Sequence, residues 1–379
     1  MTGQETGNAA NLKPGQILLH IGVHKTGTTA IQDALAHARP ELHEWNVQYP
    51  GTTQAHRNVA SSAMDRRLGW KVGGAAAPDP SLWENFVQSA HEFPGITVCS
   101  SEFFAESDDA TAAEIVERIG KENVHVVITL RNFARILPSA WQQILKSGYE
   151  NGYIHWLKNV LNAGEKEPKS EVFWARHRHD IVVQRWAKIV GSDRVTVVVV
   201  DDANRDGIYT DFELLLGLPK NALLKQRTRS LNRSMTAAES ELLRCMNEVV
   251  GGSQGWQSYG NRVHDGLIKG MVEGRTPDTE ESKLQTPQWA LDVAARYAAM
   301  YVDAIKASGV NVMGNVEVLG THLKGPEEVD DRAIQEITLN AAVAAILGAI
   351  GDAIIQQPPT KTARARSKAG RIRRAVTRK

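Results

Sequence analysis

The chain has 379 residues, of which 42% are hydrophobic and 23% charged, with a formal net charge of +1. This is an ordinary globular balance, and it excludes a collagen-like, disulfide-dense or wholly disordered chain. Cys99 and Cys245 are too far apart in sequence for a redox or zinc motif, and no apolar run reaches the roughly 18 residues of a membrane span.

Residues 1–14 are polar and lack the basic start and apolar stretch of a signal peptide, so they read as a flexible leader. Ile17 to Ile21, after Pro14-Gly15, suits a buried strand. It feeds into Gly22-Val23-His24-Lys25-Thr26-Gly27-Thr28-Thr29, after which Ala30, Ile31, Ala34, Leu35 and Ala38 recur at helical spacing. Trp45 to Ser81 reads as irregular, rich in Gly, Ala and Pro around Gly73-Gly74. A second strand is expected at Ile96 to Ser100. A helix from Asp109 to Ile119 follows, with Asp/Thr capping chemistry at its start and Gly120 at its end.

A third strand is expected over Val124 to Leu130, then a helix from Ala134 to Lys146 with Gly148 beyond it. Gly148 to Ser170 reads as a polar, irregular segment. Long loops of this kind beside a rigid sheet often line active sites. Val195 to Val200 predicts a fourth strand and Tyr209 to Leu216 a helix. Beyond Gly217 the pattern is mostly helical, most clearly at Ala237 to Val250. Ile334 to Ile355 carries Leu339, Val343, Ile346, Leu347, Ile350 and Ile354 as a stripe that predicts a packed helix.

Strands alternating with helices predict an α/β fold on a parallel sheet. The expected organisation is a flexible leader (1–14), an α/β domain (15–250), a mainly helical C-terminal part packed on it (251–357) and a basic disordered tail (358–379). Nine Lys or Arg and no acid fall within 361–379, so the net charge of +1 leaves −8 on the rest. The tail reads first as a solvated extension. It has no aromatic residue for base stacking, which argues against nucleic acid, and an anionic membrane surface is its second expected use.

A glycine loop between a strand and a helix presents backbone N–H groups as an anion cradle. Gly22 and Gly27 keep the Gly-x-x-x-x-Gly spacing of a nucleotide-binding P-loop. The ATP and GTP versions place Lys directly after the second glycine. That place holds Thr28, and the loop's lysine is Lys25. At the end of the third strand Arg131 is followed eight residues later by Ser139 in the next helix. The planar guanidinium gives phosphate two parallel hydrogen bonds.

The Lys25-Thr26-Gly27-Thr28-Thr29 segment resembles the 5′-phosphosulfate loop of sulfotransferases that use 3′-phosphoadenosine 5′-phosphosulfate (PAPS). Arg131 and Ser139 resemble the same family's 3′-phosphate signature, with Arg131-Asn132-Phe133 where the family often has Arg-Asn-Pro. Softer matches at Ser100 to Phe104, Asp201, Asp211-Phe212 and Leu214 to Leu218 extend the resemblance over about Ile17 to Leu218, and Asn232-Arg233-Ser234 follows.

The resemblance implies a P-loop-NTPase-like sulfotransferase fold, PAPS as co-substrate and no metal. It implies that Lys25 neutralises the leaving oxygen, that Thr26, Gly27, Thr28 and Thr29 hold the 5′-phosphate, and that Arg131 and Ser139 hold the 3′-phosphate. A general base is also required, and Glu102 and His56 are the candidates. The acceptor is expected to be a hydroxyl on a small molecule, glycan or lipid, with a lean to carbohydrate or glycolipid, and the protein to be cytoplasmic or peripheral to a membrane.

His177-Arg178-His179-Asp180 looks like a ligand set but reads as a surface patch. Trp45, Trp70 and Trp141 read as core residues, with stacking on a sugar as the alternative. Two other readings stay open. One is a P-loop kinase or NTPase, with Thr196 to Asp201 as a Walker-B-like strand. The other is a non-catalytic nucleotide- or glycan-binding protein on the same fold.

Overall fold

The computed structural model describes residues 12–68, 77–162, 168–227, 233–250, 259–330 and 334–356. The expectations placed on Trp70, Gly73-Gly74, Asn232 and the basic tail lie outside the described residues.

The chain falls into two structural units. Of the described residues, the larger holds those up to 147, then those within 151–230 and 284–330, and the smaller holds 148–150, those within 233–283 and 334–356. The division is therefore not the linear one expected at 250, since residues 284–330 return to the first unit.

Among the described residues of the first unit, six parallel strands lie in the order β2-β3-β1-β4-β5-β6. They are β1 (Ile17–His20), β2 (Val47–Gln48), β3 (Ile96–Ser100), β4 (Val124–Arg131), β5 (Val195–Val200) and β6 (Asn311–Met313). The crossovers carry α1 (Thr28–His37), α2 (Arg39–Glu44), α3 (Arg57–Ala63), α4 (Pro80–Glu92), α5 (Asp109–Ile119), α6 (Phe133–Leu145), α7 (Tyr153–Leu157), α8 (Pro168–His177), α9 (His179–Val190) and α10 (Gly207–Leu216). A further helix, Gln288–Ala307, precedes β6.

The sheet is buried on both faces because its central strands alternate between two apolar clusters. Ile17, Leu19, Val126, Ile128 and Val197 point into one, with Trp83, Phe104 and Trp186. Leu18, Val98, Val127 and Val198 point into the other, with Ile31, Leu35, Phe212 and Leu215. Near-continuous apolar strands are what a doubly covered parallel sheet requires. The outer strands β2 and β6 span two and three residues, and short edges limit pairing with other chains.

Several expectations are corrected. Leu12, assigned to the leader, is buried, and its N–H donates to Leu215 O at 3.2 Å. The segment from Trp45 to Ser81 contains α3, and Gly148 to Ser170 contains α7 and a wide helical turn, Lys158–Asn162, with Val160 and Leu161 buried. The His177–Asp180 cluster is no surface patch. It stands where α8 passes to α9, and His177, His179 and Asp180 are all buried. Trp141 is 2% exposed and donates to Asn151 O, which makes it a core residue.

In the second unit, helix Ala237–Val250 lies where the sequence put it. The terminal helix Leu339–Gln356 does not pack through its large apolar stripe, since Leu339, Val343, Ile346, Leu347 and Ile350 are exposed. It packs through small residues. Ala341 and Ala345 are buried, and a Cβ on Gly348 would lie 2.3 Å from Gly266 O. Small side chains there let two helical backbones approach, which a stripe of Leu and Ile would prevent.

Candidate active site

The strand order reverses direction at β1, whose neighbours are β3 and β4. In open α/β sheets ligands bind at the carboxyl end of such a switch point. The loop Gly22 to Thr29 leaves β1 there and enters α1.

Local chemistry shapes the loop. A Cβ at Gly22 would lie 2.2 Å from Thr129 Oγ1 and 2.6 Å from Thr28 Cγ2, so only glycine lets the chain pass. Lys25 and Gly27 both have left-handed backbone, with φ of 70° and 85°. For a lysine this conformation carries strain that the surrounding contacts must hold. Gly27 caps α1 without a side-chain bond, and while Ala30 N–H donates to Gly27 O at 3.0 Å, the Thr28 and Thr29 N–H groups are left to point out of the helix.

Beneath the loop lies a buried polar chain that the sequence did not disclose. His20 Nδ1 meets Ser100 Oγ at 2.8 Å, and His20 Nε2 meets Thr129 Oγ1 at 3.2 Å. Thr129 Oγ1 meets Thr26 Oγ1 at 2.9 Å, and Thr26 Oγ1 donates to Val23 O at 2.7 Å. Burial lowers the His20 pKa to about 3, so the ring is a neutral strut. The Thr26 hydroxyl is therefore committed to the loop's own main chain. Of the four residues expected on a 5′-phosphate, Thr26 has only its N–H to give.

Lys25 Nζ donates to Gln143 Oε1 at 3.0 Å. Burial and then the neighbouring Lys146 ammonium lower the Lys25 pKa to about 8, with Glu102 acting in the opposite direction. The Lys146 pKa is also lowered by burial. Gln143 and Lys146 share the face of α6 that carries Ser139, at i+4 and i+7. The helical period contained this signal, but nothing in sequence said which face of α6 turns to the loop.

Glu102 opens the 3₁₀ turn after β3, is partly exposed and accepts from Gln32 Nε2 at 3.3 Å. It acts electrostatically on Lys25, so the structure brings these two together. His56 is different. Its Nε2–H donates to Pro50 O at 2.7 Å and its Nδ1 accepts from Ser100 N at 3.0 Å. The ring is 3% exposed, and burial lowers its pKa to about 4. Both nitrogens serve the main chain, so His56 is a tether between the 50–56 loop and β3 and not a base.

Arg131 ends β4, and Asn132 caps α6 through Ala134 N while donating to Leu319 O and Thr321 O. Arg131 grips Asp202, just past β5, with Nε at 3.2 Å from Oδ2 and Nη2 on Oδ1. Ser139 lies in the second turn of α6, and its Oγ donates to Ile136 O at 2.9 Å within the same helix. The carboxylate that meets Arg131 had no counterpart in the sequence pattern. Asp201, the acid of the Walker-B-like run, accepts from Ala203 N at 2.8 Å in the turn that carries Asp202.

A buried ionic cluster adjoins the loop. Glu106 accepts from Arg176 Nε at 2.7 Å and Arg66 Nη2 at 2.6 Å, and His24 Nε2 lies 2.9 Å away. Among the described residues no group of three or more His, Cys, Asp or Glu is arranged to hold a metal. Among the same residues no helix is long and apolar enough to cross a membrane.

No protein-family model matches the chain, and no curated protein matches it. Among solved structures, a sulfotransferase from Alicyclobacillus acidocaldarius is similar in fold, with a TM-score of 0.46 and 14% identity over 77% of this chain and 94% of that one.

Proposed function

We propose that the chain binds PAPS across the carboxyl ends of β1 and β4 and transfers its sulfuryl group to an acceptor hydroxyl. The supporting observation is the adjacency of two anchors. β1 and β4 pair in register, His20 opposite Val127, so the Lys25 loop and the Arg131 end of β4 lie at the same carboxyl edge of the sheet. A nucleotide with phosphates on both its 3′ and 5′ positions would use both cations, and the missing lysine at position 28 removes the usual clamp for a triphosphate.

In this reading the acceptor oxygen attacks sulfur in line. The bond from sulfur to the bridging phosphate oxygen breaks, and adenosine 3′,5′-bisphosphate leaves. Lys25 stabilises the charge that develops on the leaving oxygen. The acceptor's proton passes to Glu102, the candidate base with a partly exposed carboxylate beside Lys25. Positioning and charge stabilisation supply most of the acceleration, as in phosphoryl transfer. The proposed acceptor is a carbohydrate or glycolipid hydroxyl, and the basic tail is proposed to favour an anionic membrane surface.

Calorimetric titration with adenosine 3′,5′-bisphosphate, and in parallel with ATP and Mg²⁺, tests the reading. Bisphosphate binding that weakens sharply in Arg131→Ala, with little response to ATP, is expected. ATP–Mg²⁺ binding with no preference for a 3′-phosphate would overturn it in favour of a kinase or NTPase.

A further inference from the structure

We propose that Arg135 is a third member of the 3′-phosphate clamp, and that Asp202 is a stand-in carboxylate that holds the clamp in shape until the phosphate replaces it. The proposal rests on the PAPS reading of this site.

The observation is that two guanidiniums converge on one carboxylate. Arg131 holds both oxygens of Asp202, and Arg135 Nε lies 3.7 Å from Asp202 Oδ2. Two cations around one anion leave the cluster at +1. Ordinary repulsion would drive Arg131 and Arg135 apart, and the shared carboxylate keeps them together. A phosphate monoester brings nearly two negative charges and three acceptor oxygens near neutral pH, and so matches the pair better than one carboxylate does.

The placement follows from the chain. Arg131 is the last residue of β4, and Arg135 lies in the first turn of α6, so both stand at the carboxyl edge of the sheet. Arg135 and Ser139 are four residues apart in α6 and share a face. Asp202 is set by the turn that Asp201 caps through Ala203 N.

The side chains of Arg131, Arg135 and Asp202 are 25%, 52% and 28% exposed. All three side chains reach water, so a phosphate that offers the arginines more charge than one carboxylate can displace it, and Asp202 can turn to solvent as phosphate arrives. A guanidinium pair already fixed in place loses little freedom on binding, which favours affinity.

The test compares adenosine 3′,5′-bisphosphate with adenosine 5′-monophosphate by calorimetry, so that the ratio of their dissociation constants isolates the 3′-phosphate. Arg135→Ala is expected to raise the bisphosphate dissociation constant about tenfold relative to that of the monophosphate, the loss of one charge-assisted phosphate contact, and to leave monophosphate binding unchanged. Asp202→Asn is expected to raise bisphosphate affinity several-fold, again without effect on the monophosphate. Thermal melts of both variants check that these surface changes leave the fold intact. A wild-type ratio in Arg135→Ala, or weaker bisphosphate binding in Asp202→Asn, overturns the inference while leaving the PAPS reading standing. Equal binding of the two nucleotides by the wild-type protein overturns both.

Discussion

Lys25 Nζ reaches Gln143 Oε1 at 3.0 Å across 118 residues of sequence, tying the loop after β1 to α6. The bond holds a strained, partly buried lysine in a defined place beside a second ammonium, Lys146. In the proposed reading an anion entering the loop is expected to take Lys25 from Gln143 and to offset the repulsion from Lys146. Strain and like-charge repulsion of this kind are retained at sites where function needs them.

Replacing Lys25 therefore separates stability from function. Lys25→Met removes the burial cost of the ammonium and keeps the stem's apolar contacts. The free protein is expected to gain about 1 kcal/mol, read as a rise of a few degrees in Tm. Sulfuryl transfer from PAPS is expected to fall at least about a hundredfold, the cost of one preorganised charge on the leaving group. A variant that loses stability and keeps turnover would contradict this role.

Ligand binding is expected to depend on pH through the same group. The Lys25 pKa is lowered to about 8, mainly by burial and then by Lys146. Below that value the ammonium is charged and clamps the anion, and as pH rises through it the free protein loses that charge. Affinity for adenosine 3′,5′-bisphosphate is thus expected to fall above about pH 8, with proton uptake on binding. Titrations in buffers of different ionisation enthalpy measure the uptake directly, and Lys25→Met is expected to abolish it.

Glu102 and His56 are expected to behave in opposite ways. Glu102→Gln keeps the bond from Gln32 but cannot accept a proton, so kcat is expected to drop by about a hundredfold or more with little change in Tm. His56→Ala leaves the Ser100 N–H and Pro50 carbonyl without the ring that joins them. A loss of about 1–3 kcal/mol in stability is expected, with kcat retained in the folded fraction. Denaturant melts paired with initial rates distinguish the two, and the reverse pattern would reassign the base.

Glu106 is expected to be structural. Burial alone would raise its pKa, but the His24 and Arg176 partners outweigh that and hold it at about 2. The carboxylate's stabilising contribution is thus complete above its ordinary range and lost as pH falls towards about 2. Glu106→Gln takes this counter-charge from the buried Arg176, at a cost of about 3–5 kcal/mol. Equilibrium unfolding at pH 7 measures it, and acid unfolding of the variant is expected to lose the step that Glu106 contributes.

Legibility followed the range of the forces involved. Apolar strand runs and helical stripes are local, so β3, β5 and α5 lie where the spacing put them. The glycine loop and the Arg131–Ser139 interval are equally local, since strand, turn and helix fix them within a few residues. α3, α7 and β2 were not legible because they are short and form on contacts made elsewhere in the chain.

By itself, then, the sequence determined an α/β parallel-sheet chain with a glycine loop after its first strand and an arginine at the end of a later one. Only tertiary structure decided what each side chain does, because partners come from distant strands. It set β1 between β3 and β4, turned the Ser139–Gln143–Lys146 face of α6 to the loop, and gave Asp202 to Arg131. It also enclosed His56 between two main-chain groups. A histidine's spacing in sequence says nothing of whether its nitrogens face solvent or the backbone, and that difference separates a base from a tether.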